Sequence, residues 1–106
     1  MSVSERRFGV LPTGEPVRIF HLENKSGAYI EVTEFGALLV KVCVPDKDGK
    51  LTDVVLGYDD LESYEVNGCF FGATIGRSGN RIGGAKFSVY GKEVVLAQNE
   101  NDNNLH

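Results

Sequence analysis

Apolar residues in this chain recur in short alternating or continuous runs, and no segment keeps a helical spacing over three turns. Val17 to Leu22 reads as a strand, closed by turn chemistry at Asn24-Lys25-Ser26-Gly27. Tyr29 to Glu34 alternates, which predicts Ile30 and Val32 on one face and Glu31 and Thr33 on the other. Phe35-Gly36 breaks that strand, and the β-branched run Leu38 to Val44 follows, ended by the Pro-Asp-Gly loop Pro45 to Lys50. Asp53 to Leu56 and Cys69 to Ile75 read as further strands. Between them Asp59 or Asp60 can cap one helical turn through Leu61 to Tyr64, because an Asp carboxylate accepts orphan backbone N–H bonds. Lys86 to Val89 and Glu93 to Leu96, flanking Tyr90-Gly91-Lys92, predict a hairpin with Phe87 and Val89 on one face. Before the first of these strands, Arg6 to Pro16 shows only a turn at Pro12-Thr13-Gly14, and Gln98 to Asn104 is wholly polar. Short strands with regular turns predict an all-β fold, an antiparallel sandwich or barrel.

Composition narrows the class. A chain of 106 residues has the size of one domain and is too short for a two-domain enzyme or a TIM barrel. No repeat, low-complexity tract or linker divides it, so residues 1–106 read as one unit. Hydrophobic residues at 42% and charged residues at 25% are those of a globular protein, and 13 glycines suit a turn-rich β chain. The net charge of −4 excludes a basic nucleic-acid groove and an anionic membrane surface as partners. The apolar runs are short, Ala37 to Val40 and Val42 to Val44 among them, and cannot span a bilayer. Arg6-Arg7 is followed by too few apolar residues for a twin-arginine signal. Cys43 and Cys69 form no C-x-x-C pair or framework, and both read as buried free thiols of a cytoplasmic, reducing compartment.

Three segments could carry chemistry. Gly72 to Gly84 is glycine-rich, but it lacks both phosphate-loop spacings and no helix follows, so a glycine-permitted turn between strands accounts for it. At the rim of that turn, Asn80 and Arg81 combine an amide with a guanidinium fork, donors and an acceptor suited to hydroxyl groups in a cleft. Asn99 to Asn104 is rich in oxygen ligands but lacks the EF-hand spacing and its closing Glu, which favours a solvated loop and no metal site. His21 falls within a strand and reads as structural, whereas His106, after Leu105, can turn into a cleft. Paired carboxylates also suit sugar chemistry. Glu31 and Glu34 have opposite strand parity, however, and Asp59-Asp60 is explained as a helix cap.

Gly76-Arg77-Ser78-Gly79-Asn80-Arg81-Ile82, followed by Asn103-Asn104-Leu105-His106, resembles the aldose 1-epimerase (galactose mutarotase) family. Phe35-Gly36-Ala37, Pro45-Asp46 with Gly49, and Val54-Val55-Leu56-Gly57-Tyr58-Asp59 before Tyr64 extend the resemblance over Phe8 to His106. Ser78-Gly79 departs from the Tyr-Ala common in that family and leaves Asn80-Arg81 intact. The resemblance implies a galactose mutarotase-like antiparallel β-sandwich that interconverts α and β anomers of free aldoses such as galactose or glucose, without a cofactor. It implies sugar binding by Asn80, Arg81 and His106. It also implies a glutamate as general base at the anomeric hydroxyl and a second histidine as general acid at the ring oxygen. Family members continue past the leucine–histidine, and both acid–base residues belong to that continuation. On this reading residues 1–106 are the N-terminal portion of one sandwich domain, with a binding half-site and no catalytic residue. Such a portion would need its C-terminal remainder, or self-association, to cover the exposed sheet. A non-catalytic carbohydrate-binding module on the same fold is the alternative.

Overall fold

The computed structural model describes residues 1–106. The chain forms two compact units, Met1–Thr74 and Ile75–His106. The first holds strands β1 (Ser2–Val10), β2 (Pro16–Glu23), β3 (Tyr29–Thr33), β4 (Leu39–Pro45) and β5 (Leu51–Asp53), then the helix α1 (Leu61–Val66). The second holds β6 (Arg81–Ile82), a 3-10 turn at Gly83–Ala85, β7 (Lys86–Val89), β8 (Lys92–Val95) and β9 (Asn104–Leu105). Every strand pair is antiparallel, and the predicted all-β class holds.

In the first unit β1 to β5 form one sheet in sequence order. Turn chemistry fixes the order, since each connection is short enough to demand an antiparallel neighbour. At the β2–β3 turn, Asn24 Oδ1 accepts from the N–H groups of Ser26 at 2.9 Å and Ala28 at 3.1 Å. One end of one sheet face packs the core: Ile19, Leu38, Val40 and Tyr64, flanked by Phe8, Phe35, Tyr58 and Ala73. Burying each large apolar side chain there contributes about 1.5–3 kcal/mol. Helix α1 closes this end. Asp60 caps it, accepting from Ser63 N–H at 2.8 Å, as the sequence predicts. Gly9 permits the close approach, because a Cβ there would lie 2.8 Å from Leu61 Cβ. The opposite face carries Leu22, Ile30 and Val42, in register with one another, beside an apolar cleft of about 300 Å³.

Several elements differ from the sequence reading. Strand β1 has no apolar alternation because it is an edge strand with most residues exposed, held by its ladder to β2 from Ser2↔Glu23 to Val10↔Pro16. In β3 the two faces do separate, but Glu31 and Thr33 take the buried face while Ile30 and Val32 are half-buried. Thr33 is satisfied by donating its hydroxyl to Arg18 O at 2.9 Å. Glu31 is satisfied by His21 Nδ1 at 3.3 Å and by long contacts to Arg6 NH2 at 3.4 Å. Strand β5 ends at Asp53, whose Oδ1 takes the N–H groups of Val42 and Val55; Val54 N–H still donates to Val42 O at 2.9 Å, and the predicted strand through Leu56 goes no further. Cys69 to Ile75 is turn and coil, with Phe70 and Gly72 at positive φ. Cys43 is buried and Cys69 exposed, both free, so only the first sits as predicted. The β7–β8 hairpin closes one residue tighter than predicted: Val89 pairs with Lys92. Tyr90 and Gly91, at φ 51° and 75°, form its two-residue turn.

Candidate functional site

The second unit is small, and backbone pairing alone does not explain it. Strands β6 and β9 share two rungs, Arg81↔Leu105 and Ile82↔Asn104. A third link continues the ladder: His106 N–H donates to Asn80 O at 2.8 Å. Amide side chains complete the frame. Asn99 Oδ1 accepts from Leu105 N–H at 2.7 Å while its Nδ2 donates to Leu105 O at 2.9 Å, so one side chain acts as a missing strand. Asn104 Nδ2 donates to Ala97 O at 2.9 Å, and Asn103 Oδ1 accepts from Gly84 N–H at 3.2 Å. The polar stretch read as a solvated loop is therefore the scaffold that places Leu105 and His106. It turns back at Glu100 and Asn103, which exchange backbone bonds.

Asn80 is the hub of the predicted trio. It sits at φ 58°, in the left-handed region that Asn tolerates better than most side chains. Its N–H donates to His106 Nδ1 at 3.1 Å. A ring nitrogen that accepts carries no proton, so with this bond the neutral imidazole holds its proton on Nε2. The Asn80 Oδ1 accepts from Arg81 NH1 at 3.2 Å. Asn80 thus touches both Arg81 and His106. By strand alternation Arg81 leaves the ladder on the face of Leu105, opposite Ile82 and Asn104.

On that face Arg81 meets Glu100. Nε donates to Oε2 at 2.8 Å and NH2 to Oε1 at 2.7 Å, a bidentate fork. The hydrogen bonds hold the Glu100 carboxyl below its ordinary pKa of 4.5 and raise that of the Arg81 guanidinium. Glu100 escaped the sequence reading; only its place two residues before Asp102, in the stretch that returns to pair with Arg81, pointed to it. On the opposite face an open cleft of about 380 Å³ has an apolar floor of Ile82, Phe87, Val94 and Leu96 and a polar wall of Arg77, Ser78, Asn104 and His106. Neither Asn80 nor Arg81 lines it.

The remaining candidates lie in the first unit. His21 bridges two carboxylates, Nδ1 to Glu31 at 3.3 Å and Nε2 to Glu23 at 3.1 Å, and stacks on Tyr29 with ring centroids 4.4 Å apart. A polar cleft of about 350 Å³ opens there. Glu34 instead binds Arg18, at 2.9 Å to NH2, so Glu31 and Glu34 serve different clusters. That separation follows their opposite parity. No group of three or more His, Cys, Asp or Glu side chains is arranged to hold a metal ion.

A sequence model of the aldose 1-epimerase family matches residues 18–106. The chain is 38% identical over 107 aligned positions to galactose mutarotase of Bos taurus, covering all of this chain and 31% of that protein. It is 34% identical over 95 positions to aldose 1-epimerase of Escherichia coli strain K12, covering 90% of this chain and 28% of that protein. Among solved structures, galactose 1-epimerase of Lactobacillus acidophilus superposes with a TM-score of 0.75 at 25% identity, over 99% of this chain and 30% of that one. The chain thus spans about a third of the length of the curated relatives it matches. It belongs to the aldose 1-epimerase family.

Proposed function

We propose that residues 1–106 supply the sugar-binding half-site of an aldose 1-epimerase that interconverts the α and β anomers of a free hexose such as galactose or glucose. The observation that carries this reading is the hydrogen-bonded trio: Asn80 joined through its backbone to His106 and through its Oδ1 to Arg81. Such a set brings an imidazole, an amide and guanidinium N–H groups together through Asn80.

Ring opening needs a base at the anomeric hydroxyl and an acid at the ring oxygen. Rotation about C1–C2 and closure on the other face then give the other anomer. In this reading Arg81 holds sugar oxygens and favours negative charge developing on them, His106 orients the ring, and Asn80 links the two. The general-base glutamate and general-acid histidine lie outside these residues, and no cofactor takes part. Both units belong to a single sandwich domain of which residues 1–106 are the N-terminal portion. The apolar face of Leu22, Ile30 and Val42 is covered by the rest of that sandwich or by a second copy. A cytoplasmic site of action suits the two free thiols.

Amide chemical shifts during titration with D-galactose and D-glucose test the binding claim. Shifts should centre on Asn80, Arg81 and His106 and vanish in Arg81→Ala; saturable shifts elsewhere, with these three unmoved, refute it. Polarimetry tests the division of labour: the 106-residue chain should not accelerate mutarotation of α-D-galactose, and substantial turnover by it alone would show the acid and base misplaced. Sugar binding without turnover in the longer protein would favour the carbohydrate-binding module.

A further inference from the structure

The Arg81 guanidinium has five N–H donors, and three are engaged: Nε–H and one NH2 hydrogen by Glu100, and one NH1 hydrogen by Asn80 Oδ1. One donor remains on each terminal nitrogen. Arg is a long side chain whose rotamer freedom is lost on binding unless something fixes it beforehand. Here the guanidinium is half exposed and has no aromatic ring stacked on it, so packing does not fix it. Its orientation is set by the two Glu100 oxygens at 2.7 and 2.8 Å, with Asn80 as the third point. Glu100 is in turn held at the Glu100–Asn103 backbone turn. Three contacts to a planar group define both its position and its plane.

We infer that Glu100 is a positioning residue for sugar binding, locking the Arg81 plane so that its two free donors, one on NH1 and one on NH2, meet two neighbouring oxygens of the sugar. The inference rests on the proposed sugar-binding role of Arg81. A vicinal diol is the ligand chemistry that two donors on adjacent nitrogens fit, so the pair selects sugars with adjacent free hydroxyls. Glu100 touches no substrate in this arrangement and acts only through Arg81. The opposite possibility, that the carboxylate sequesters Arg81 from the sugar, predicts the reverse effect of removing it.

The test uses the 106-residue chain with ¹⁵N-labelled arginine, and variants Glu100→Gln, Glu100→Asp and Arg81→Lys. The Nε–Hε resonance missing in Arg81→Lys identifies Arg81. In the wild type it should lie downfield and exchange slowly with water, as a charge-assisted bond requires. Glu100→Gln should move it to the free-arginine position, and Glu100→Asp should restore part of the shift. Titration with D-galactose should then show affinity about tenfold weaker in Glu100→Gln, the scale of one charge-assisted hydrogen bond, with Glu100→Asp intermediate. 2-Deoxy-D-galactose lacks the O1–O2 and O2–O3 pairs and 4-deoxy-D-galactose the O3–O4 pair; one of them should lose less affinity in Glu100→Gln than galactose does, and a full loss with both refutes pairing to adjacent hydroxyls. Unchanged or tighter galactose binding with the Hε signature gone overturns the positioning role and leaves the sugar site standing. A wild-type chain that shows the Hε signature but binds no sugar overturns the sugar-site reading and this inference with it. If Glu100→Gln does not fold, Glu100→Asp carries the comparison: full wild-type affinity with a displaced Hε resonance refutes the inference.

Discussion

Gly72 and Gly36 form a natural control for one another. Both lie in the left-handed region, at φ 65° and 64°. A Cβ at Gly36 would meet nothing within 4 Å, whereas one at Gly72 would lie 2.0 Å from Leu39 O and 2.9 Å from Leu39 C. The backbone cannot step aside freely, because Leu39 N–H donates to Gly72 O at 2.9 Å and holds the two segments together. Alanine at either site carries the left-handed cost of about 1–2 kcal/mol, and the gain from a stiffer unfolded chain cancels between them. Gly72→Ala adds overpacking of about 1–3 kcal/mol and weakens a backbone bond worth about 1 kcal/mol. The expected difference is therefore about 2–4 kcal/mol. In urea, with a slope of about 1–2 kcal/mol/M, the Gly72→Ala midpoint should fall at least about 1 M below that of Gly36→Ala. The same slope must hold for both variants. Equal midpoints would refute the close-approach argument and leave φ alone as the reason for glycine at residue 72.

Three further outcomes follow from the same coordinates. Tyr64 is buried and its hydroxyl accepts from Tyr58 N–H at 3.0 Å; Tyr64→Phe orphans that N–H and should cost about 1–3 kcal/mol in urea unfolding, while a loss below the error of the fit would show that the N–H finds another acceptor. Tyr29 has its phenol raised to about 12, first by its hydrogen bond with Cys43 and then by burial. The raised folded value means the neutral phenol contributes stability below pH 10 that is lost as pH climbs toward 12; ultraviolet titration should show a late step that Tyr29→Phe abolishes. For Glu100 the sign is opposite: its folded value is lowered, so its contribution is present above pH 4.5 and lost as pH falls through the lowered value. Carboxyl ¹³C titration should place Glu100 below 4.5 in the wild type and return it toward 4.5 in Arg81→Met; no change between the two would remove the guanidinium as the cause.

The strands with neighbours on both sides announced themselves, since β2 and β4 are rich in apolar residues and β3 alternates. Strand β1 did not, because an edge strand is held by backbone bonds to one neighbour and those bonds are indifferent to side-chain polarity. The parity of β3 was legible but not its direction. Alternation says that Glu31 and Thr33 share a face, and the choice of which face is inward depends on partners from other strands, Arg6, His21 and Arg18 O. The same distinction governs the site. Asn80, Arg81 and His106 were found through a motif, yet what holds them is the amide-rich stretch that composition alone assigned to solvent. Asn99, Asn103 and Asn104 each bind main-chain groups of residues brought near by the fold. A polar side chain that satisfies backbone looks identical, in sequence, to one that satisfies water. Glu100 is the sharpest instance: a single carboxylate in a polar run carries no signal until the chain reverses and sets it against Arg81. The proposed sugar-binding residues can thus be recognised from a motif, whereas the residues that hold them are recognisable only once the ladder between β6 and β9 fixes which side chains share a face.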